Sequence, residues 1–374
     1  MDRQTELALI DELLALKASM SAFLEDSTTN PADHYASPGR FEAEQTKLFR
    51  QLPIAAAHIS ELPKEGSFVR QDVGGLPILI TRDKSGAVHA FLNACRHRGT
   101  RLVEEMSGCK HRFSCPYHAW TYASTGELIG APHFDEGFPH LDKADLGLQR
   151  LPCAVQFGFV WVSLSKDNAL TNDQWFEGIA DNLDALDLPK MRIAAKDKVI
   201  RHANWKTLVE GGIEAYHFRV VHRKTIGPHF ENNLSSYRSF GPHMRAVLPR
   251  TSMATLTEAA RDTWHLRDHA NILYTLFPSS QLLVMQDHIV WIRLNPLAAD
   301  KSALQITTLA PTHGEQDAHW KRNHDITMTT LDEDFTIGES IQSSVAGQST
   351  MMFGRFEGAL AQFNRTVNQM VEQE

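Results

Sequence analysis

The feature that most constrains this chain is a pair of short segments that each hold one cysteine and one histidine. The first is Cys95-Arg96-His97 and the second is Cys115-Pro116-Tyr117-His118, with seventeen residues between them. We call these segments the first and the second hook. Each hook presents one thiolate and one imidazole, and both groups are ligands for transition metals. The pattern therefore predicts a metal centre that is built from two loops.

The mixed ligand set separates two kinds of metal centre. A Rieske [2Fe–2S] cluster is held by two cysteines on one iron and two histidines on the other, which is the set that the hooks supply. A structural zinc site also accepts two cysteines and two histidines, but zinc fingers usually pair like ligands. The alternation within each hook favours the Rieske cluster, with Cys95, His97, Cys115 and His118 as its ligands.

Both hooks are predicted to lie on loops at the ends of short antiparallel strands. The segments 76–82 and 86–94 predict a β-hairpin that leads into the first hook. Hydrogen bonds to the sulfur atoms tune the potential of such a cluster, and Tyr117 and Ser114 are candidate donors. Ordinary turn chemistry is the alternative role for both residues.

A second informative segment covers residues 204–222. Taken as one helix, it places Glu210, Glu214 and His217 on one face, at spacings of four and three. His222 follows His217 by five residues, so a helix end or distortion is needed for the two imidazoles to converge. Two histidines and a later carboxylate form the facial triad of non-heme Fe(II) oxygenases. Two adjacent glycines, at 211 and 212, cost about 1 kcal/mol each in a helix and predict close packing or a kink.

Both segments resemble one family, the Rieske-type non-heme iron oxygenases, or ring-hydroxylating oxygenase α-subunits. The stretch 95–122, with CPYHAW at 115–120, is similar to the family's Rieske domain. The N-W-K at 204–206 and the Y-H-x4-H at 216–222 are similar to its catalytic domain. The resemblance implies an α+β fold, in which an antiparallel β Rieske domain is joined to a helix-grip (START-like) catalytic domain.

The resemblance also assigns roles to individual residues. His217 and His222 correspond to the ligands of the mononuclear iron, and Glu214 to the acidic residue that bridges the two metal centres. Most members have aspartate at this bridge, and glutamate occurs among members that act on quaternary amines. Glu210 matches a glutamate of the family, but Gly211 stands where asparagine is usual. We leave Glu210 out of the predicted site, because a buried structural carboxylate explains it equally well.

The third iron ligand is expected among three consecutive acids at 332–334. The family's C-terminal pattern is similar to E-D-x-x-I-x-E-x-x-Q. It matches Glu333, Asp334, Ile337, Glu339 and Gln342. The match selects Asp334 as the ligand, with Asp332 and Glu333 as alternatives.

The length of 374 residues suggests two domains. We predict an N-terminal helix and linker at 1–44, with an amphipathic helix at 5–24, a Rieske domain at 45–165 and a catalytic domain at 166–374. Residues 227–270, which mix Gly, Pro, Arg and His, predict a loop-and-helix lid. The last fifty or so residues predict helices.

Composition restricts the partners and the compartment. A net charge of −8 argues against general nucleic-acid binding. No apolar run approaches the length of about 18 residues that predicts a membrane-spanning helix, and the polar N-terminus does not resemble a secretory signal. Four cysteines occur, and a cluster that needs free thiolates favours the reducing cytoplasm.

These features together predict an oxygenase of the EC 1.14 class that uses O2 and a mononuclear Fe(II). The family implies that electrons come from NAD(P)H through a separate reductase or ferredoxin. The resemblance further implies that they pass from His118 through Glu214 to His217 across a subunit boundary, within a homotrimer. Arg98 and Lys110 belong to a basic group near the hooks that suits an acidic redox partner. The glutamate at the bridge favours monooxygenation or N-demethylation of a small amine.

Three other functions remain open from the residues alone. They are an aromatic ring-hydroxylating dioxygenase, a Rieske electron carrier without an oxygenase site, and a zinc-stabilised binding module. Aromatic and apolar side chains of the second half are candidates for the substrate pocket or for the core. They are Phe218, Phe230, Tyr274, Phe277, Met285, Trp291 and Phe335.

Overall fold

The computed structural model describes residues 1–19, 26–165, 173–314 and 316–372. The chain forms two compact units, of which Phe49–Asn172 is the smaller, and Met1–Leu48 with Asp173–Glu374 the larger. The end of the predicted N-terminal helix, at 20–24, lies outside the described residues, and so does the predicted start of the catalytic domain at 166. Within the described ranges, no helix is long and apolar enough to cross a membrane.

The helices are mostly short. They are α1 (Arg3–Ser19), α2 (Asp33–Ala36), α3 (Pro38–Glu44), α4 (Phe134–Gly137), α5 (Ala180–Asp184), α6 (Trp205–Glu210), α7 (Phe218–Val221), α8 (Leu266–His269), α9 (Asp317–Val345) and α10 (Gly358–Glu372). Helix α9, with 29 residues, is the longest of those described. The helices α9 and α10 confirm the helical C-terminal part that the sequence predicts.

The strands are β1 (Thr28–Pro31), β2 (Ile54–His58), β3 (Ser67–Val73), β4 (Leu76–Arg82), β5 (Val88–Leu92), β6 (Ser107–Cys109), β7 (Arg112–Ser114), β8 (Thr121–Ala123), β9 (Leu128–Gly130), β10 (Arg150–Leu151), β11 (Cys153–Gln156), β12 (Phe159–Val162), β13 (Met191–Arg201), β14 (Ser236–Phe240), β15 (His243–Pro249), β16 (Ala270–Leu276), β17 (Ser280–Val284), β18 (Ile289–Ala298), β19 (Lys301–Pro311) and β20 (Thr350–Phe353). The pairs within the sheets are antiparallel.

The smaller unit contains three antiparallel sheets, with strand orders β10-β5-β4-β3-β6, β11-β12-β2 and β7-β8-β9. The predicted hairpin is confirmed, since β4 pairs with β5. Its turn forms because the Asp83 carboxylate accepts hydrogen bonds from the backbone N–H groups of Ser85 and Ala87. Gly86 completes the turn with a φ of +87°, which favours glycine.

One apolar core fills the part of the smaller unit that carries the hooks. Its buried members include both hook cysteines and several aromatic rings. The rings are those of Phe68, Phe91, Phe113, Trp120, Tyr122 and Phe134. The cysteines are therefore anchored in the core of this unit, which holds the hooks in place.

The larger unit is built on one seven-stranded antiparallel sheet. Strands β14 to β19 form a continuous meander, and β13 joins the sheet beside β19. Helix α9 contacts β13 and β19. Its buried residues, which include Trp320, His324, Phe335 and Gly338, recur at intervals of three, four or more and form one stripe. A long helix packed on an antiparallel sheet confirms the α+β class and its helix-grip form.

The predicted lid at 227–270 is wrong in its central part, because β14 and β15 lie there. Strand β15 is buried at every position. A strand buried on both faces lacks the alternation of apolar and polar residues that marks a half-buried strand. Arg245 in this strand is buried as well, where it donates to the Asn182 side chain.

The N-terminal residues pack within the larger unit. Strand β1 pairs with β20, and α2 and α3 follow it. Glu44, at the end of α3, is fully buried and accepts hydrogen bonds from the Trp205 indole (2.8 Å) and the Lys206 ammonium (2.7 Å). Two residues of the N-W-K segment thus anchor the start of α6 to the N-terminal region.

Candidate active site

Each hook is a tight turn that its own backbone hydrogen bonds close. In the first hook, the Cys95 N–H donates to the Thr100 carbonyl at 2.8 Å. In the second hook, the Cys115 N–H donates to the Trp120 carbonyl at 2.8 Å, and Ala119 adopts a left-handed φ of +58°. Turns of this kind hold the cysteine and the histidine of one hook at a fixed separation.

The structure brings the predicted histidine ligands of the two hooks together. The Nδ1 atoms of His97 and His118 lie 3.1 Å apart. Cys95 and Cys115 are buried, with 3% and 4% of their surfaces exposed, whereas His118 is exposed. Burial raises the pKa of Cys95, and the neighbouring Cys115 thiol adds to the effect. Two buried sulfurs and two converging imidazole nitrogens are the donor set that a Rieske cluster requires.

The Tyr122 side chain contacts the sulfur of Cys95 in the first hook. Sequence reasoning did not predict this contact. The Tyr122 hydroxyl lies 3.3 Å from Cys95 Sγ and accepts a hydrogen bond from the Arg96 N–H at 3.0 Å. For Tyr117 and Ser114, the contacts in the structure fit the alternative of ordinary turn chemistry. Tyr117 stacks on His118 at a centroid distance of 3.8 Å, and Ser114 bonds to the Thr121 hydroxyl instead. The aromatic core position of Tyr122 was the available signal, because a buried tyrosine hydroxyl usually needs a partner.

The 204–222 segment is not one helix. Helix α6 ends at Glu210, and α7 begins after His217. A Cβ atom on Gly212 would lie 3.1 Å from the Gln281 amide, so this glycine permits close packing beside the break. His217 and His222 therefore flank the single turn of α7, and this is how two histidines five residues apart converge.

The two histidines meet Asp334 of α9 in a compact triangle. The Nε2 atoms of His217 and His222 are 3.2 Å apart, and Asp334 Oδ1 lies 3.3 Å and 2.9 Å from them. Ligand atoms that bind one metal at right angles, each at about 2.1 Å, lie about 3 Å from one another. The spacing of the triangle therefore fits three cis positions around a single iron. Among the described residues, this is the group of side chains that meets the geometry of a metal site.

A carboxylate outside the triangle contacts each histidine. His217 Nδ1 is paired with Glu214 Oε1. His222 Nδ1 lies 2.7 Å from Glu333 Oε2, which also accepts a hydrogen bond from the Thr225 hydroxyl at 2.6 Å. Such outer partners place the proton on Nδ1 and leave Nε2 free to bind a metal. Glu333 and Thr225 are functional candidates that sequence reasoning did not place in this role.

The three consecutive acids of α9 point to three different partners. Asp334 faces the triangle, Glu333 contacts the outer side of His222, and Asp332 pairs with the Arg201 guanidinium. Successive residues of a helix are rotated by about 100°, so adjacent acids cannot share a target. The geometry thus favours Asp334 over the two alternatives as the third ligand.

The electrostatics of the triangle favour a cation. Burial disfavours the charged form of His217, but hydrogen bonds to Asp334 and Glu214 outweigh this effect and raise its pKa to about 10. Burial likewise disfavours the Asp334 carboxylate, yet its contacts with the two histidines lower its pKa. The negative charge that favours imidazolium here would equally stabilise a divalent metal.

Glu210 lies in a buried polar network beside the site. Its carboxylate accepts hydrogen bonds from the Tyr35 hydroxyl at 2.6 Å and the Asn364 amide at 2.7 Å. Burial raises the pKa of Glu210. These contacts join α6 to α2 and α10.

Contacts made by α9 and by Gly227 also hold the site in place. Glu339 and Gln342 of α9 accept hydrogen bonds from the backbone N–H groups of residues 202 and 204, at 2.9 Å and 2.8 Å. A Cβ atom on Gly227 would lie 2.6 Å and 2.8 Å from the carbonyl oxygens of Phe218 and His222. Only glycine permits this approach, which packs residue 227 against the α7 turn.

An apolar cavity of about 80 Å³ adjoins the triangle. Of the predicted pocket residues, Phe218, Phe230 and Phe335 line it. Met285 lines a neighbouring cavity of about 350 Å³. The other three candidates are buried and line neither cavity. They are Tyr274, Phe277 and Trp291.

Comparison with known proteins identifies both units. The model of the ring hydroxylating alpha subunit (catalytic domain) matches residues 186–373, and that of the Rieske [2Fe-2S] domain matches residues 53–152. The glycine betaine monooxygenase oxygenase subunit of Chromohalobacter salexigens is 32% identical over 243 residues, which cover 63% of this chain and 52% of that protein. The anthranilate 1,2-dioxygenase large subunit of Acinetobacter baylyi is 33% identical over 198 residues, covering 51% and 41%.

A solved structure shares the fold. The quaternary ammonium Rieske monooxygenase CntA in complex with an inhibitor superposes with a TM-score of 0.80 at 22% identity, covering 92% of this chain and 95% of that one. The chain spans about half the length of the curated relatives that it matches.

Proposed function

Because the chain belongs to the ring hydroxylating alpha subunit family, we propose that it is the terminal oxygenase component of a Rieske non-heme iron oxygenase. In this proposal it uses O2 to hydroxylate or N-demethylate a small organic substrate. The observation that carries the proposal is the triangle of His217, His222 and Asp334 beside an apolar cavity. The similarity to a glycine betaine monooxygenase oxygenase subunit favours an amine-containing substrate.

Two metal centres belong to this proposal. Cys95, His97, Cys115 and His118 would hold the [2Fe–2S] cluster, and the triangle would hold Fe(II). When bound, the cluster supplies single electrons and the iron supplies open positions for O2. The protein contributes the fixed imidazole tautomers, the apolar cavity that limits access of water, and the carboxylates that balance the charge of the metal.

Glu214 is proposed as the link to the cluster of a neighbouring copy. One of its oxygens is paired with His217 Nδ1, and side chains around it are exposed and apolar. Tyr216, Val220 and Met352 expose 54%, 72% and 81% of their surfaces. An exposed apolar patch beside a functional carboxylate suits a subunit interface. We therefore propose a homotrimer in which His118 of one copy approaches Glu214 of the next, and inter-subunit electron transfer is described for CntA.

A separate reductase or ferredoxin is proposed as the electron donor, with NAD(P)H as the source. The basic group near the hooks is partly neutralised, since Arg101 pairs with Glu104 and Lys110 with Glu105. Arg98 donates to the Tyr117 hydroxyl at 3.1 Å beside the second hook and pairs with no carboxylate among the described residues. Arg98 is therefore the preferred contact for an acidic partner. We also propose a cytoplasmic location, because the four cysteines are free and the cluster requires thiolates.

Aromatic ring dihydroxylation is the second candidate function. The anthranilate dioxygenase relative and the phenylalanine-lined cavity favour it. A Rieske carrier without oxygenase activity fits less well, because the triangle then has no purpose. A zinc-stabilised module fits less well too, because each hook pairs one cysteine with one histidine, whereas zinc fingers usually pair like ligands.

Iron analysis of the purified chain tests the proposal. An oxygenase holds about three irons per chain and a carrier about two. We expect Asp334→Asn to remove one iron and leave the visible spectrum of the cluster unchanged, whereas Asp332→Asn retains all of the iron. Substrate-dependent O2 uptake with a surrogate reductase, corrected for peroxide, then separates amines from aromatic acids. A colourless zinc protein would contradict the proposal.

A further inference from the structure

The cavity beside the triangle shares lining residues with a second cavity that is more open to solvent. The inner cavity contacts His222 and Asp334, and Phe218, Leu273 and Leu283 are among the apolar side chains that line it. The outer cavity measures about 350 Å³ and is lined by polar as well as apolar residues. Both cavities are lined by Ile226, Phe230 and Asn271. These shared residues place the outer cavity directly beside the inner one.

Arg250 follows the end of β15 and lines the outer cavity. Its guanidinium donates to Asn271 Oδ1 at 2.8 Å and lies 6.0 Å from the centroid of the Phe230 ring. Over the residues that the structure describes, no carboxylate lies within 4 Å of Arg250. The acids that act on it from further away are engaged elsewhere, Asp268 with Gln286 and Asp287 with two histidines. One of the five N–H groups of this cation is thus used, and the rest face no anion.

Asn271 adds a second unused donor. It is 95% buried, with 5% of its surface exposed, and it lines both cavities. Its Oδ1 accepts from Arg250, which directs the amide NH2 group away from the guanidinium. In the described part of the chain, that NH2 group has no hydrogen-bond partner. The NH2 group is not one of the fully buried polar atoms without a partner, so it is accessible from the cavities that Asn271 lines and is free to donate to a bound acceptor.

The inner cavity offers little to a free cation. Its aromatic side chains are phenylalanines, and the carboxylate that faces it belongs to Asp334, which the metal would use. Tryptophan and tyrosine, the stronger partners for a quaternary ammonium group, do not line it. The recognition groups that remain unpaired are the donors at its entrance.

We propose that Arg250 and Asn271 form a carboxylate-binding subsite, and that the substrate is an organic acid whose apolar end lies in the inner cavity beside the triangle. This inference rests on the proposed oxygenase function. It admits aromatic acids, and betaines as weaker ligands because their trimethylammonium end would meet only phenylalanine rings; it excludes simple amines and choline-like alcohols as good substrates. The guanidinium and the amide together offer the planar set of donors that a carboxylate accepts from.

The test uses pairs of ligands that differ mainly in the carboxylate, namely benzoate with benzamide, and glycine betaine with choline. Binding to the purified 374-residue chain is measured by isothermal titration calorimetry without O2. We expect the carboxylate in at least one pair to bind at least about tenfold more tightly than its partner. Arg250→Gln is expected to weaken that binding by about 10- to 100-fold, and Arg250→Lys by less. Benzamide and choline should be unaffected.

Two further variants sharpen the result. Asn271→Asp keeps the shape of the side chain but gives Arg250 an anion, so carboxylate binding should be lost. Arg238→Gln removes the same charge from an exposed arginine on β14 and should leave affinity unchanged. Equal affinity for both members of each pair would overturn the proposal, as would an equal effect of Arg250→Gln and Arg238→Gln.

The experiment distinguishes failure of the subsite from failure of the proposed oxygenase function. Calorimetry reports the subsite whether or not the chain turns over, because Arg250 and Asn271 are not metal ligands. Iron content and O2 uptake report the proposed function separately. Carboxylate selectivity in a protein that lacks the third iron would refute the proposed oxygenase function but not the subsite. Three irons per chain without carboxylate selectivity would refute the subsite but not the oxygenase function.

Discussion

Replacing Glu333 by alanine is expected to weaken iron binding without removing a ligand. Glu333 Oε2 lies 2.7 Å from His222 Nδ1, on the opposite side of the ring from the Nε2 atom that faces Asp334. The carboxylate therefore fixes both the orientation of the imidazole and the position of its proton. Without it, the ring of His222 is free to rotate or to carry its proton on Nε2, where it cannot bind a metal.

The size of the effect follows from the contact that is lost. A hydrogen bond to a charged group contributes about 1.5 to 3 kcal/mol. The Glu333 side chain is 26% exposed and that of His222 1%, so water only partly replaces the hydrogen bond that His222 loses. Removal of such an outer partner typically lowers metal affinity by about 10- to 100-fold. We expect this range for Glu333→Ala and a smaller effect for Glu333→Gln, which retains a neutral acceptor.

The assay is competition for Fe(II) against a chelator without O2, with the visible absorbance of the Rieske cluster as an internal reference. Asp332→Ala is the matched control. It removes the adjacent carboxylate, which is 58% exposed and pairs with Arg201 away from the triangle. Fe(II) affinity should remain unchanged in this control, and the cluster absorbance should remain unchanged in every variant.

Two results would refute the reasoning. The first is a Glu333→Ala protein that binds Fe(II) as tightly as the unmodified chain, since His222 would then be oriented by other contacts. The second is an equal loss in Asp332→Ala, which would point to a general effect of charge on α9.

Three other predictions concern different parts of the chain. Glu214→Gln should lower coupled turnover by more than about tenfold while iron content stays unchanged; wild-type turnover would contradict the bridging role. Hydrogen bonds from His89 and the turn hold the pKa of Asp83 well below its usual range. Its carboxylate therefore stabilises the smaller unit above about pH 4, and this contribution is lost as pH falls further; Asp83→Asn should flatten the acid limb of the melting temperature against pH. Lys206→Met removes the ammonium partner of Glu44, but Glu44 keeps the Arg40 guanidinium at 3.0 Å, so the free energy of unfolding, measured with urea, should fall by less than the roughly 3 to 5 kcal/mol that an unpaired buried charge costs.

The hooks and the strand at 76–82 could be predicted from the sequence because the residues that determine them lie close together in the chain. Each hook places two ligands within four residues, and the spacing alone brings them to one turn. The β4–β5 turn is likewise determined by the residues at 83–86, where an aspartate and a glycine satisfy the backbone. Such features depend little on the rest of the fold.

Features that depend on tertiary packing could not be predicted from the sequence. The helical spacing of Glu210, Glu214 and His217 suggested one helix, but the packing of Gly212 against Gln281 coincides with a break. Strand β15 is buried on both faces, so its pattern did not indicate a strand. The contact of Tyr122 with Cys95 also arises from distant residues. In each case the partner is remote in the sequence, and local propensity is a weak guide.

The two proposed ends of the substrate site have opposite charge, and this has a chemical consequence. Asp334, Glu214 and Glu333 surround the two imidazoles of the triangle with negative charge, which binding of Fe(II) only partly offsets. A free carboxylate is itself a good ligand for iron, and it would compete for the positions that O2 needs. Arg250 lines the outer cavity and not the inner one, so anchoring the carboxylate of the substrate there would keep it away from the metal. The separation of anion and metal thus explains why an oxygenase site of this kind would place its unpaired donors at the entrance and leave the interior apolar.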